Sequence, residues 1–203
     1  MSVIYLASRS PRRRELLTQV GVRFEPLLFR DGARRDADTD ESVLAGETPD
    51  AYVMRVTQLK ARAAWERVVM RRGLRRMPVL VADTTVALGE EIFGKPADRE
   101  DAVRMLSALS GTQHRCLTAV AVSMDERLEI AVSASLVTFA PISGERIRAY
   151  ADSGEPFDKA GAYAIQGRAG AFVERIEGSY SGVMGLPVFE TAALLRQFGI
   201  VVP

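Results

Sequence analysis

One acid emerges from an apolar run at Val79-Leu80-Val81-Ala82-Asp83, and two hydroxyls, Thr84 and Thr85, follow it. A short β-branched run bounded by Pro78 and a later glycine reads as a buried strand. A carboxylate at the end of such a strand is costly to bury without a partner. Asp83 therefore either caps a turn or pairs with an arginine, or it works as a general base or metal ligand. Lys95, in the Gly94-Lys95-Pro96 turn that follows, would set positive charge opposite it. What other segments bring to the same place decides between these readings.

A second cluster is Ser8-Arg9-Ser10-Pro11-Arg12-Arg13-Arg14. Ser10 suits an N-cap and Pro11 the first helical position, where its missing N–H costs nothing. Arg12, Arg13 and Arg14 then fall in a first helical turn, the wrong end for cations because the helix dipole is positive there. Free N–H groups, the hydroxyls of Ser8 and Ser10 and several guanidiniums make a cradle for phosphates. The competing reading is a solvated basic turn. Lys60 lies at the edge of an apolar helix face, where a lysine stem lying along that face is the simpler reading and a reach into a cleft the sharper one. Asp38, Asp40 and Glu41 offer weakly spaced carboxylates for a metal. Between Ser153 and Gly167 the chain crowds glycine, Glu155, Asp158, Lys159 and Gln166 into a stretch with little periodicity. The Gln166 amide carries a donor and an acceptor and could read a base edge. Gly167 and Gly170 would let a ligand approach the backbone, unless this is an ordinary glycine-rich loop.

The elements that must position these residues follow from pattern. Val3–Ala7 and Val22–Phe29 read as strands, with a short helix from Pro11 to the Gly21 stop between them. Residues 30–46 are polar throughout and read as a loop. Thr48-Pro49 starts a long helix with Tyr52, Val53, Val56, Leu59 and Ala63 inward, ended by the basic stretch at 71–76. Asp98 caps a helix through Ala108. His114–Met124 and Leu128–Ala140 read as long strands buried in part on both faces. Ser143 caps a helix over Glu145–Asp152, residues 177–182 read as irregular loop, and Pro187 opens a final helix. Strand–helix units mixed with hairpin strands predict a mixed α/β fold. The expectation is a single domain, residues 1–203, with a central mixed β-sheet and two lobes framing a cleft.

Composition removes several classes. The 203 residues carry a formal net charge of +1, so no overall field drives the chain onto nucleic acid or membrane. No run approaches the length of a bilayer span, and the apolar start at Val3–Ala7 is too short for a secretory signal. The basic stretch at 71–76 lacks interleaved aromatic residues and reads as a helix terminus rather than a nucleic-acid patch. The single cysteine, Cys116, rules out an intrachain disulfide and fits a reducing, cytoplasmic setting as a buried, inert thiol. The single histidine, His114, has no histidine partner for a zinc site.

Several separated stretches together resemble the Maf family of nucleoside triphosphate pyrophosphatases. They are Leu6-Ala7-Ser8-Arg9-Ser10-Pro11-Arg12-Arg13, Tyr52-Val53-Met54-Arg55 with Lys60-Ala61, Ala82-Asp83-Thr84 with Gly94-Lys95-Pro96, Gly154-Glu155-Pro156-Phe157-Asp158-Lys159-Ala160-Gly161-Ala162-Tyr163, Ile165-Gln166-Gly167, and Gly178-Ser179-Tyr180 through Gly185-Leu186-Pro187. The resemblance covers nearly the whole chain. It implies an ITPase/Maf-like fold and a cytoplasmic homodimer that hydrolyses a nucleoside triphosphate to the monophosphate and pyrophosphate with a divalent cation, Mg²⁺ or Mn²⁺. Arg12, Thr84 and Gln166 look like the branch acting on dTTP and UTP and stand where that branch sets substrate choice. The resemblance makes Asp83 the proton acceptor, places Arg13, Lys60 and Lys95 near the phosphates, where the Ser10 hydroxyl of the first-turn cradle would join them, and gives Asp83 and Glu41 to the metal. Balanced charge and the lack of a recognition helix or aromatic platform argue against a nucleic-acid partner, and no membrane partner is expected. A second reading stays open, a nucleotide-binding regulator of septum formation without significant catalysis.

Overall fold

The computed structural model of the chain describes residues 3–27 and 40–202. Its frame is a seven-stranded mixed sheet. Strand β1 (Ile4–Leu6) runs parallel to β2 (Phe24–Pro26) on one side and to β3 (Val79–Leu88) on the other. The hairpin β4 (Glu91–Phe93) folds back on the far end of β3. Antiparallel β5 (Gln113–Met124), β6 (Arg127–Phe139) and β7 (Val173–Glu177) complete the order β2-β1-β3-β5-β6-β7.

Parallel neighbours need crossover connections, and helices supply them. Helix α1 (Pro11–Gln19) joins β1 to β2, and Gly21 at φ +71° closes it. Ser10 holds the N-cap position, but its hydroxyl makes no cap hydrogen bond. Helix α2 (Pro49–Met70) is started by Thr48, whose hydroxyl accepts from the Ala51 N–H at 3.3 Å. Gly73 at φ +109° turns the chain after it. Asp98 and Ser143 cap α3 (Arg99–Leu109) and α4 (Gly144–Asp152) as the sequence predicts.

The two sheet faces are covered unequally. Helix α2 packs its Ala61, Ala64 and Val68 against Tyr5, Val79, Val81 and Ala121 on one face. The other face carries the larger core, to which Leu17 of α1, Leu106 of α3, Ile147 of α4, Met184 of α5 (Tyr180–Met184) and Leu195 of α6 (Val188–Gln197) contribute. Each such leucine or isoleucine contributes about 1.5–3 kcal/mol on burial. Strand β5 lies between β3 and β6 with helices on both sides, which explains its broken alternation.

Three details differ from the sequence expectation. Strand β7 has no predicted counterpart; its alternation is short and largely exposed. Residues 180–184 form a helix rather than a loop, because the Ser179 hydroxyl accepts from the Gly182 N–H at 3.0 Å. Asp83 does not end a strand; it lies in the middle of the ten-residue β3. Its neighbours supply the missing ending. Pairing with β1 stops where the Ala7 N–H meets the Leu80 carbonyl, and pairing with β4 begins only at Val86. Between them, from Ala82 to Thr85, this edge of β3 has no neighbouring strand among the described residues. Residues 28–39, which include the end of the predicted second strand and Asp38, lie outside the described residues.

Candidate active site

A cavity of about 660 Å³ opens at this gap in the sheet. Ser10, Arg12, Arg13, Glu41, Lys60, Asp83, Thr84, Lys95 and Gln166, the residues singled out in the sequence, all line it. Consecutive strand residues point to opposite faces, so Asp83 looks toward α2 and Thr84 toward α1 and α5. Only a break in the sheet lets one cavity touch both.

On the α2 side one cation sits between two acids. The Lys60 ammonium lies 2.5 Å from Asp83 Oδ1 and 2.8 Å from Glu41 Oε1. Burial would lower the lysine pKa, but the charges of Asp83 and Glu41 outweigh it and hold the pKa above its ordinary value. Lys60 therefore reaches into the cleft, the sharper of its two sequence readings. Glu41 is held by a staple from α2. The Tyr52 hydroxyl donates to the Glu41 carbonyl at 3.0 Å, and Arg55 donates to the carbonyls of Asp40 and Ser42 and to both carboxylate oxygens of Glu47. Burial, with the nearby charges of Asp83 and Glu41, pushes the Tyr52 phenol up to about 12, so it stays a donor. The Asp40 carboxylate accepts from the Ser42 N–H at 2.9 Å and closes a turn. Among the described residues no cluster of three or more His, Cys, Asp or Glu side chains forms a closed metal site.

On the opposite side Arg13 is committed to the protein. Its Nε donates to the Gly185 carbonyl at 2.7 Å, one terminal nitrogen to the Ala82 carbonyl at 2.6 Å and to Ser8 Oγ at 3.3 Å, and the other to Thr84 Oγ1 at 3.4 Å. Burial draws its pKa down, partly offset by Asp83, yet a guanidinium stays protonated. Arg13 thus ties the start of α1, the open edge of β3 and the end of α5 together. Arg12 faces the cavity with Asp158 3.8 Å away, and Asp158 also pairs with Lys159. Lys95 and Gln166 line the cavity with no hydrogen bond or ion pair to other described side chains. Arg14 turns outward and donates to the Arg9 carbonyl.

The segment 154–167 reaches the cavity because it is clamped at several points. The Gly161 N–H donates to the Gly94 carbonyl at 3.0 Å. Gly161 has φ +69°, and a Cβ there would lie 2.9 Å from the Val86 side chain of β3. Glu155 accepts from the Tyr150 hydroxyl at 2.9 Å and the Arg168 N–H at 3.0 Å. Gly167 and Gly170 do not open the backbone to a ligand. A Cβ at Gly167 would lie 2.3 Å from the Glu155 carboxylate, and one at Gly170 2.8 Å from the Ile165 carbonyl. These glycines make room for the protein's own groups.

Cys116 is buried in the cavity wall, and burial raises its thiol pKa to about 12, in keeping with an inert role. His114 is buried with Nε2 3.0 Å from the Tyr163 hydroxyl, and burial lowers its pKa to about 4. Sequence reasoning gives Arg55 no role beyond its place in a matching stretch and passes over Thr118. Arg55 pairs with Glu47 eight residues earlier, across a helix start, which no helical spacing reveals. Thr118 does leave a signal, as a hydroxyl within the apolar run Cys116–Val120.

A family model described as Maf-like protein matches residues 3–198. A dTTP/UTP pyrophosphatase of Cupriavidus metallidurans is 59% identical over 199 residues, covering 98% of both chains. One of Cupriavidus pinatubonensis is 61% identical over 194 residues and 96% of both chains. One of Dechloromonas aromatica is 55% identical over 196 residues and 97% of both chains. Among solved structures, a HAM1 protein from Coxiella burnetii matches with a TM-score of 0.51 over 97% of this chain and 100% of that one. At 15% identity that is a likeness of fold.

Proposed function

The chain belongs to the Maf family, and on that premise we propose that it hydrolyses dTTP and UTP to the monophosphate and pyrophosphate. The observation that carries this reading is the Asp83–Lys60–Glu41 array on the same cavity as Arg12, Lys95 and Gln166. The relatives' names favour catalysis over a binding-only regulator. The single cysteine supports a cytoplasmic site of action, no described helix is long and apolar enough to cross a membrane, and the family resemblance supports a homodimer.

Asp83 is the general base in this reading. A water approaching the α-phosphorus gives its proton to the Asp83 carboxylate while its oxygen forms the new P–O bond. The bond from the α-phosphorus to the bridging oxygen breaks, and pyrophosphate leaves with that oxygen. Lys60, Lys95 and Arg12 meet the polyanionic tail, and their charge opposes the build-up on the leaving group. Ser10, whose hydroxyl is not spent on capping α1, and the first-turn N–H groups complete the cradle. Arg13, with its donors on protein carbonyls, shapes the cradle rather than gripping phosphate.

The donor set fits a divalent cation. Two carboxylates already share one positive centre at 2.5 and 2.8 Å, and all-oxygen sites with few protein ligands suit ions that keep water and phosphate oxygens. Asp83 and Glu41 would hold Mg²⁺ or Mn²⁺, which supplies charge neutralisation and polarisation at the phosphate. The test is Asp83→Asn assayed for pyrophosphate release from a panel of triphosphates. The expected result is loss of turnover by several orders of magnitude at an unchanged melting temperature. Near-normal turnover removes Asp83 from the mechanism, and a wild-type protein inert toward dTTP and UTP removes the reading itself.

A further inference from the structure

Behind Thr84 lies a chain of hydroxyls whose direction is forced. Thr118 is fully buried on β5 directly opposite Thr84 in the sheet register. Its hydroxyl lies 2.7 Å from the Gly182 carbonyl, which can only accept, so the Thr118 proton points there. The second contact of Thr118 Oγ1, at 2.9 Å, is with Thr84 Oγ1, and with its own proton spent Thr118 must accept it. Thr84 therefore donates inward. Arg13 donates to Thr84 from the side at 3.4 Å. What Thr84 turns to the cavity is a lone pair and no proton.

We propose that Thr118 is a positioning residue that fixes Thr84 as a hydrogen-bond acceptor, so that Thr84 selects a donor group on the nucleoside part of the substrate. This rests on the reading of the cavity as a nucleoside triphosphate site. A phosphate tail near neutral pH offers acceptors almost alone, so it gains nothing from an acceptor-only hydroxyl. The partner of Thr84 must lie on the base or the sugar. Outside their phosphates, dTTP and UTP share two donors, the imide N3–H of the base and the 3′-hydroxyl. Either matches. Cytosine presents an acceptor at N3 and would meet lone pair with lone pair. Such a mismatch is discriminated more strongly than a missing methyl group, because a polar group is left unpaired.

The experiment compares kcat/KM for UTP against CTP, and for dTTP against its 3′-deoxy analogue, in wild type, Thr84→Val, Thr118→Val, Thr118→Ser and the double variant Thr84→Val/Thr118→Val. In wild type one of the two ratios is large. Thr118→Val releases Thr84 to rotate and donate, and that ratio falls by about tenfold or more. The CTP arm rising as UTP falls identifies the imide; a change confined to the 3′-deoxy arm identifies the sugar. Thr118→Ser keeps the relay and the wild-type ratio. In the double variant Thr118→Val adds nothing beyond Thr84→Val, since it acts through it. Both ratios within twofold of wild type in Thr118→Val, or additive effects of the two valines, overturn the proposal. Thr118→Ala serves the same comparison if the valine variant does not fold. Should wild type release no pyrophosphate, the function reading fails, and the same ratios are read as Kd by titration calorimetry, where the relay stands or falls separately.

Discussion

Replacing Arg13 by lysine separates two roles that a basic residue in a nucleotide cavity can have. A residue that grips phosphate by charge alone keeps most of its worth as lysine. A residue that braces three segments with a planar fork does not. In Arg13→Ala the carbonyls of Ala82 and Gly185 lose donors at 2.6 and 2.7 Å. An unsatisfied buried acceptor costs about 1–3 kcal/mol. Water from the adjoining cavity recovers part of that, which leaves a loss of about 2–4 kcal/mol for the pair. In Arg13→Lys a single ammonium reaches at most one of these carbonyls, and the loss is about 1–3 kcal/mol. The measurement is urea unfolding followed by far-UV circular dichroism, with the midpoint falling and the slope unchanged. Turnover should fall in both variants, because the Ala82 carbonyl adjoins Asp83 and the brace sets the strand edge. Arg13→Lys within about 0.5 kcal/mol of wild type, with only KM raised, would refute the bracing role and return Arg13 to the phosphates.

Gln166→Ala should relax base choice more than it slows turnover, and an unchanged triphosphate panel would remove Gln166 from recognition. Gly161→Ala forces a side chain into φ +69° and against Val86; it should cost about 2–4 kcal/mol in the same unfolding assay and weaken nucleotide binding by shifting Asp158 and Lys159. His114 is held neutral with a pKa of about 4 against 6.5 when unfolded. The unfolded chain takes up the proton first as pH falls, so stability present above 6.5 is lost on the way to 4. Between pH 7 and 5 the loss is about 2 kcal/mol, and His114→Gln should flatten that slope in urea titrations at the two values; an equal slope in the variant would assign it to other groups.

Much of this arrangement is legible in the chain because local chemistry and global fold agree. Thr48, Asp98 and Ser143 announce their helices, and Asp83 stands out as a charge in an apolar strand. Lys60 was harder to read. Its spacing fits a stem along an apolar face, and only the segment 40–47 folding back on α2 turns it into the shared partner of two acids. Gly167 misled for a related reason. A glycine near a cavity suggests a ligand, but the group that needs the space is the carboxylate of Glu155, twelve residues away and fixed by Tyr150. Arg13 and Arg12 are neighbours of the same type in one helical turn, and nothing local says that one braces carbonyls while the other faces the cavity.

The gap beside β3 explains why two adjacent residues can divide the work. Along an uninterrupted sheet, Asp83 and Thr84 would serve separate surfaces. Among the described residues the pairing of β3 with β1 stops at Leu80 and its pairing with β4 starts at Val86, so one ligand can pass the strand edge and meet both faces. The α2 face then holds the charged machinery of Lys60, Glu41 and Asp83, while the opposite face holds a neutral relay through Thr84, Thr118 and Gly182. In the proposed reading, substitutions in the relay alter which donor group is welcome without touching the groups that would move the proton. Bond cleavage and nucleoside choice would then be separable by one residue's step along a single strand.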